Sequence, residues 1–402
     1  MRRFLLLVSL LAPLPAAAQR ATLENHIERA LDIDAAFRAL AAQREAVAAR
    51  RALARSPIPG SPSVGGDARS DLRGPREARE FNVDIAAPVW LPGQRAAYSD
   101  TVRTGVAELE ARLLLRRLEV AGLLRDAWWN SASAARDVRV ARDRLSTSRD
   151  IARDVQRRVE LGDIPYTDAL LARNEDLAAE LGVSQAEATL AGARAAYRVL
   201  TGGAEPDLPP EPPAARVRAH PALLAADAGV AAAEAQARLV AATPRDNPEF
   251  GVFGRHDEGL RNTDSVSMGL RVRVPLATNA RNVPRVAAAQ ADLTRAVAER
   301  ALRRRVLDAE IEAARVALRL AEEAAQIARR RLAVANQQLD LGRRAFNQGE
   351  TGLFDLYRIR QLQLEAASTQ AQADVTVGRA RSRLNQALGA VPGGEGLLAS
   401  AR

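Results

Sequence analysis

The clearest pattern along the chain is an unbroken alternation of polar and apolar residues from Ser265 to Val274. A period of two residues predicts a β-strand that has one face in an apolar environment and the other face in water. A second, shorter alternation from Phe81 to Ala86 predicts a matching strand earlier in the chain. Weaker strands are predicted beside them, at 249–256 and around 63–69. The sequence therefore predicts two β-hairpins.

A very long helix is predicted after each hairpin. No proline occurs between Gln94 and Leu161, and apolar or small residues recur there at alternating spacings of four and three. A seam of this kind, sustained over many heptads, is typical of a coiled coil. A helix of this length would extend about 100 Å. The second half repeats the pattern from about Val286 to Asn347, and each long helix is predicted to turn at a glycine and return, as Thr167–Leu200 and Leu353–Leu388.

The two halves of the chain resemble each other at a shift of 187 residues. This shift superposes Pro57 on Pro244, Gly162 on Gly349, and Asp168 on Asp355. Matching proline, glycine and aspartate positions at one offset indicate a duplicated structural unit. Each unit begins with a shorter helix, predicted over Leu23–Arg55 and Ala222–Ala242. The predicted division is a signal peptide (1–18), a first repeat (19–201), a proline-rich linker (202–221), a second repeat (222–390) and a C-terminal tail (391–402).

The N-terminal residues predict export from the cytoplasm. Arg2 and Arg3 precede an apolar run from Phe4 to Leu14, and Ala16–Ala18 supplies a cleavage site of the A-x-A type. These are the parts of a secretory signal peptide. The rest of the sequence contains no stretch of about 20 apolar residues that would predict a membrane-spanning helix. The mature protein is therefore expected to be periplasmic, secreted, or held in a membrane by its strands.

The composition argues against an enzyme. The chain of 402 residues has no cysteine, three histidines and two methionines, and none of its 58 basic residues is a lysine. Thiolate metal sites, cysteine nucleophiles, lysine general bases and Schiff bases are thereby excluded. The histidines have no metal-ligand spacing, so no cofactor or metal is predicted. The net charge of +9 is spread along helices that mix arginine with acids, which is not the clustered positive surface of a nucleic-acid-binding protein.

The predicted strands require partners if they lie in lipid. Open sheet edges are not tolerated within a bilayer, and closed barrels start at about eight strands, whereas this chain supplies four. Several copies would have to share one barrel, with the long helices extending from it. Two alternatives stay open at this point: a periplasmic adaptor, which would have a long helical hairpin, and a soluble coiled-coil scaffold with hairpin insertions.

Over nearly its whole mature length the chain resembles the TolC-like outer-membrane efflux proteins. The resemblance rests on the signal peptide, the repeat, the segment Pro88–Arg95 and the two turns at 161–168 and 348–355. It implies a mainly α protein whose twofold repeat contributes long α-barrel helices and four strands to a trimeric, twelve-stranded membrane β-barrel. It also implies a passive exit duct of a tripartite efflux or type I secretion system. The expected partners are two further copies, outer-membrane lipid, a periplasmic adaptor and an inner-membrane pump.

The resemblance also implies roles for residues at the helix turns. Acids near this end face the lumen in the family, so rings of Asp355 and Asp168 are candidate cation-attracting constrictions. As the alternative, both acids are first-turn residues that interact favourably with a helix N-terminus. The family's second acid is replaced by Arg358, which is able to pair with Asp355. Its tyrosine and arginine gate residues are replaced here by Phe346 and Thr351.

The remaining predicted sites lie at the two ends of the molecule. Gly162 and Gly349 are expected to adopt the left-handed conformation that ends a helix. Trp90, at a strand end, is a candidate membrane-interface residue. Both turns are candidate adaptor contacts, through Ile164, Pro165 and Tyr166 and through Gly352, Leu353 and Phe354. The alternative is that these residues pack the two turns against each other.

Overall fold

The computed structural model describes residues 22–70, 79–214, 219–258 and 264–392. The predicted signal peptide and most of the predicted C-terminal tail lie outside these residues. The first half contains the helices α1 (Leu23–Ile33), α2 (Ala35–Ala49) and α3 (Arg51–Arg55), strands β1 (Ser63–Ser70) and β2 (Arg79–Pro88), and helices α4 (Gln94–Glu160) and α5 (Tyr166–Thr201). The second half contains α6 (Pro221–Ala241), β3 (Glu249–Glu258), β4 (Ser265–Arg273), α7 (Asn279–Asn347) and α8 (Leu353–Ala387).

The element order confirms the internal repeat. Helix α5 begins at Tyr166 and helix α8 begins at Leu353, 187 positions later. The strands and the long helices of the two halves follow the same offset to within a few residues. The stretch that corresponds to helix α1 in the second half, 210–220, falls in the proline-rich linker predicted from the sequence.

The single helix predicted over Leu23–Arg55 is wrong, because it is interrupted at Asp34 and at Arg50. Asp34 has an extended backbone and begins α2 by accepting a hydrogen bond from the Phe37 backbone N–H at 2.7 Å. Its carboxylate also accepts two hydrogen bonds from the Arg116 guanidinium of α4, at 3.0 and 2.8 Å. This hydrogen bonding, above all by Arg116, lowers the pKa of Asp34. The bend at Asp34 therefore fixes the shorter helices against α4.

Helix α7 begins seven residues earlier than predicted. The sequence predicted its start near Val286. The helix starts at Asn279 and contains Pro284 in its second turn. A proline so close to the N-terminus leaves only one backbone carbonyl without its helical partner. Both long helices therefore follow directly from a strand.

The four strands form one antiparallel sheet in the order β1-β2-β3-β4. Both predicted hairpins are present, and the pairing of β2 with β3 joins the two repeats. A hydrogen-bonded group below the sheet strengthens this junction: the buried Gln94 side chain binds Asn247 of the second repeat and the Leu91 backbone N–H. The sheet is thus a single wall built from both halves.

The helices form a layer in which α5 packs on α4, α4 on α8, and α8 on α7. Nearer the sheet, α6 takes the place of α8 between α4 and α7. The main core lies midway, where α1 covers α4 and the end of α5; its buried members are Ile27, Ala30, Leu31, Val120, Ala121, Leu124 and Tyr197. Among the described residues, no helix has both the length and the apolar character needed to cross a membrane.

Candidate functional site

The two turns at the far end of the helices, called the tips below, have the same backbone structure. Gly162 and Gly349 have φ angles of 80° and 77°, in the left-handed region that glycine adopts at little cost. In the first tip the N–H of Asp163 donates to the Arg158 carbonyl at 2.9 Å, and in the second tip Glu350 donates to Ala345 at 2.9 Å. This is the Schellman arrangement, which satisfies carbonyls at the end of a helix.

The interior of the tips is apolar and joins both helical hairpins. It is formed by a tip cluster of six buried residues from α4, α5, α7 and α8: Val155, Ala169, Ala172, Leu339, Phe346 and Leu356. Phe346 is only 7% exposed, and the Arg158 guanidinium lies 4.2 Å from the centre of its ring. The sequence suggested Phe346 as a gate residue. In the structure its ring packs in the tip cluster, and the gate role stays a prediction.

The predicted acids lie in the first turns of the returning helices. Neither α5, which starts after Pro165, nor α8, which starts after Gly352, has a side-chain hydrogen bond at its cap. Asp168 is half-buried and Asp355 is exposed. Because both acids lie near helix N-termini, their charge is favourable there without a capping bond.

Arg358 and Thr351 lie close to Asp355 in the chain but do not neutralise it. Arg358 is exposed, and within the described ranges Asp355 and Arg358 form no ion pair with each other. Thr351 is half-buried in the turn before α8. The carboxylate of Asp355 is therefore accessible at the end of the helical hairpin.

The outer surface of the tips presents large apolar side chains. Tyr166 is 66% exposed and Phe354 is 75% exposed, as their proposed role in adaptor contact requires. Leu161, which the sequence did not suggest, is also exposed. Ile164 packs against the tip cluster instead. Pro165 and Gly352 are exposed cap residues, and the Leu353 side chain lies outside the described part of the structure.

A polar contact between the hairpins lies next to the tip cluster. The Arg360 guanidinium of α8 donates to the Thr147 hydroxyl of α4 and, at 3.0 Å, to Gln363. Burial lowers the pKa of Arg360. Burial, together with the nearby acids Glu175 and Asp168, raises the pKa of Tyr357 to about 12. The Arg360 Nε and the Tyr357 hydroxyl are buried without a hydrogen-bond partner. Sequence analysis missed this contact, because two residues 213 positions apart share no local pattern.

The sheet at the opposite end has one apolar and one charged face. Residues that pair across the strands point to the same side, so the register puts Val83, Ile85, Val252 and Leu270 on one face. The side chains of this face are exposed, and Met268 reaches 85%. The apolar members are Val64, Phe81, Val83, Ile85, Phe250, Val252, Val266, Met268, Leu270 and Val272. A contiguous surface of this kind marks contact with a membrane or another protein.

The other face of the sheet carries ion pairs that cross the strands. Arg271 of β4 reaches over β3 to Asp84 of β2 at 2.7 Å. Arg255 of β3 binds Glu80 of β2 at 2.8 Å. The Phe253 ring lies against Gly269, whose missing side chain leaves room for it. Both ion pairs link one repeat to the other, so the charges of this face bridge the junction between the two halves.

Trp90 lies where the sheet meets the helices. Its indole N–H donates to the Ser56 carbonyl at 3.1 Å, and its ring lies 5.8 Å from that of Tyr98. The ring is half-buried. Its position at one end of the exposed sheet is compatible with the membrane-interface role suggested by the sequence, which stays a prediction.

His26 of α1 is one of the buried polar residues among the helices. The ring of His26 is buried and bonds through Nδ1 to the hydroxyl of Tyr197 at 2.7 Å. Burial, with a contribution from Arg29, lowers the pKa of His26. Burial raises the pKa of Tyr197 above its usual range. No group of three or more His, Cys, Asp or Glu side chains within the described ranges could hold a metal ion.

The geometry is that of one protomer in the wall of a membrane channel. A sheet with an exposed apolar face lies at one end, and helices about 100 Å long extend from it. Solved structures share this fold. VceC, an outer membrane protein of Vibrio cholerae, has a TM-score of 0.73 and 16% identity over 91% of this chain and 96% of its own. CusC has a TM-score of 0.72 and 16% identity over 93% and 95%. The open state of the MtrE outer membrane channel of Neisseria gonorrhoeae has a TM-score of 0.70 and 17% identity over 91% and 88%.

The sequence match agrees with this fold. Residues 215–390 of the chain, which include the whole second repeat, match the model of the outer membrane efflux protein family. No curated protein matches the chain by sequence. The match and the shared fold are those of an outer-membrane efflux protein whose helices extend into the periplasm. Neither the fold nor the family favours the adaptor or the scaffold considered above.

Proposed function

We propose that three copies of this chain form a passive exit duct of a tripartite efflux or type I secretion system. The observation that carries the proposal is the four-stranded sheet with one apolar and one charged face. A sheet with free edges cannot lie in lipid. Three copies would supply twelve strands, enough to close a barrel with the apolar face toward lipid and the charged face toward water.

The tips support a second part of the proposal, the contact with other components. Tyr166 and Phe354 are exposed apolar side chains at the end of the helices farthest from the sheet. An adaptor that docks on these tips would connect the duct to an inner-membrane pump. Asp355, accessible and unpaired with Arg358, would form a ring of three carboxylates if the three chains are related by a threefold axis. Such a ring would attract cations at the entrance of the duct.

The duct needs no catalysis in this proposal. Transport is passive, and the energy comes from the pump. The class of exported solute is not specified by the lumenal side chains, because a wide water-filled duct does not have to bind its cargo.

The first experiment is membrane fractionation of the mature protein, followed by native mass determination in detergent. Recovery from the outer membrane as a trimer is the expected result. A soluble periplasmic species would mean that the sheet does not contact lipid, and the duct proposal would be withdrawn.

A further inference from the structure

Helix α7 carries an exposed apolar stripe that no helix of the same chain covers. Leu320, Ile327, Val334 and Leu341 recur at intervals of seven residues, and Leu341 is 63% exposed. The buried residues of α7 at this level form a separate face, which packs against α8: Ala321, Ala325, Ala328, Ala335, Leu339 and Gly342. A heptad stripe of this kind is typical of a helix that packs on another helix.

Helix α5 carries a matching stripe. Leu170 and Leu177 are also seven residues apart, and Leu177 is 57% exposed. The opposite side of α5, with Ala169, Ala172 and Ala179, is buried. In the order α5-α4-α8-α7, the two stripes belong to the two outermost helices of the layer. Each stripe therefore faces away from the rest of its own chain.

Contacts between α7 and α8 show which residues of the two helices lie at the same level along the length of the molecule. Gly342 is next to Ile359, because a methyl group at Gly342 would lie 2.8 Å from the Ile359 side chain. Asn336 accepts a hydrogen bond from Gln363 at 2.9 Å. These contacts place Leu341 beside Ile359 and Val334 near Gln363.

Because α5 and α8 are equivalent helices of the two repeats, the corresponding positions of α5 are taken to lie at the same levels. Ile359 and Gln363 correspond, 187 positions earlier, to Ala172 and Asp176. Leu341 is therefore level with Leu170, and Val334 with Leu177, to within about two residues or 3 Å. Copies related by a rotation about the long axis of the channel keep the same level.

We propose that α7 of one chain packs antiparallel on α5 of the next copy, with Leu341 opposite Leu170 and Val334 opposite Leu177. This pairing rests on the trimer proposed above and assigns the surface and register through which the copies meet. The apolar residues recur at intervals of seven on both helices, so a single register aligns both pairs of side chains.

Charges beside the stripes agree with this register. It brings Arg330 of α7 beside Glu180 of α5. Arg330 has no ion pair within the described ranges, and Glu180 has only a contact of 3.8 Å with Arg149. The register also brings Glu323 near Glu187, whose charge is already balanced by Arg142 at 2.6 Å. At these two positions the attractive contact involves Arg330, which has no ion pair in the described ranges, whereas the repulsive contact involves an acid already paired with Arg142.

The absence of cysteine allows a clean test by disulfide cross-linking. The variant L170C/L341C is expressed as the full chain, trapped with an oxidant in membranes, and run on a non-reducing gel. A disulfide needs Cβ atoms about 4 Å apart, so the proposed register predicts a covalent trimer that reduction returns to single chains. The pair L177C/V334C gives a second, independent test should the first variant fail to fold.

The matched control is L177C/L341C, in which the two cysteines are one heptad, about 10 Å, out of register. It should give at least tenfold less covalent trimer. Equal cross-linking of the control, or none in both in-register variants while native mass shows a trimer, would overturn the pairing and leave the duct intact. A monomer by native mass would overturn the duct and the pairing together.

Discussion

The ring of Trp129 lies directly against the backbone of Gly378. A methyl group placed on Gly378 would lie 1.9 Å from the Cη2 atom of the indole, far inside van der Waals contact. Trp129 itself is buried and packs edge-on against Trp128, with ring centres 4.4 Å apart. Helix α4 of the first repeat and helix α8 of the second are thus joined by a large ring that fits where a side chain is missing.

Substitution of Gly378 by alanine should force Trp129 out of place. We expect a loss of about 1–3 kcal/mol, the usual cost of overpacking a tight site. The measurement is the temperature at which the purified protein in detergent loses its helical circular dichroism. Gly182→Ala is the control, because nothing lies within 4 Å of its added methyl group and alanine favours a helix. Equal melting of both variants would contradict the contact.

Gly349→Ala should destabilise the second tip through the backbone alone. No atom lies within 4 Å of the added methyl group, but the φ angle of 77° is unfavourable for alanine by about 1 kcal/mol. Gly349→Asn should cost less, because asparagine tolerates this conformation. Limited proteolysis at the tip measures the effect, with the expected order of cleavage rates alanine, asparagine, glycine. Identical rates for all three would argue against strain.

The Asp84–Arg271 ion pair should stabilise the sheet only modestly. Arg271 is nearly half exposed, so we expect a coupling energy of about 1 kcal/mol. A double-mutant cycle of Asp84→Asn and Arg271→Gln, followed by thermal dissociation of the oligomer in detergent, isolates this coupling. Asp100→Asn is the control, since its pair with Arg103 lies on an exposed helix surface. Additive effects would mean that the contact contributes nothing.

Replacement of Asp355 by asparagine should reduce the preference of the channel for cations. The carboxylate is exposed at the tip, so its charge acts on ions that enter from that end. Reversal potentials in a planar bilayer under a salt gradient measure the change, and screening at high salt should diminish it. Arg358→Gln, which removes a neighbouring positive charge, should change selectivity in the opposite direction. Unchanged reversal potentials in Asp355→Asn would exclude the ring.

Acidification should destabilise the protein through His26. Its pKa is lowered by burial from the ordinary value of 6.5, so the unfolded chain binds a proton at a pH where the folded chain does not. The contribution of His26 to the stability is therefore fully present above about pH 6.5 and is lost as the pH falls toward the folded pKa. Thermal unfolding over this range should depend less on pH in His26→Gln than in the original protein. The same pH dependence in both would assign the effect elsewhere.

The fold was predictable because its signals are periodic and occur twice. The alternation around Val272 and the seam through Val106 and Val138 each identify an element without any tertiary information. The errors fall where tertiary contacts override local pattern. Asp34 bends a helix because Arg116 and the Phe37 N–H bind its carboxylate. No periodicity of the chain records such a partner.

The site was predictable only as far as its position. The glycines and acids of the tips were found from the turn sequence, yet the burial of Phe346 depends on three other helices. The exposed residue Leu161 and the contact of Arg360 with Thr147 were missed for the same reason. A role taken from a related family identifies the position of a residue along the chain. Only the packing decides whether its side chain faces a neighbour or the solvent.

The sheet has one apolar and one charged face. To keep side chains on the correct face, the number of residues in each strand matters more than the identity of each residue. Met268 and Leu270 share one face only because a single residue, Gly269, separates them. One inserted residue within β4 would exchange the faces beyond it and turn the guanidinium of Arg271 toward the hydrocarbon. Conservative replacements on either face should therefore accumulate freely in descendants of this gene, whereas insertions of one residue should be confined to the connections between strands.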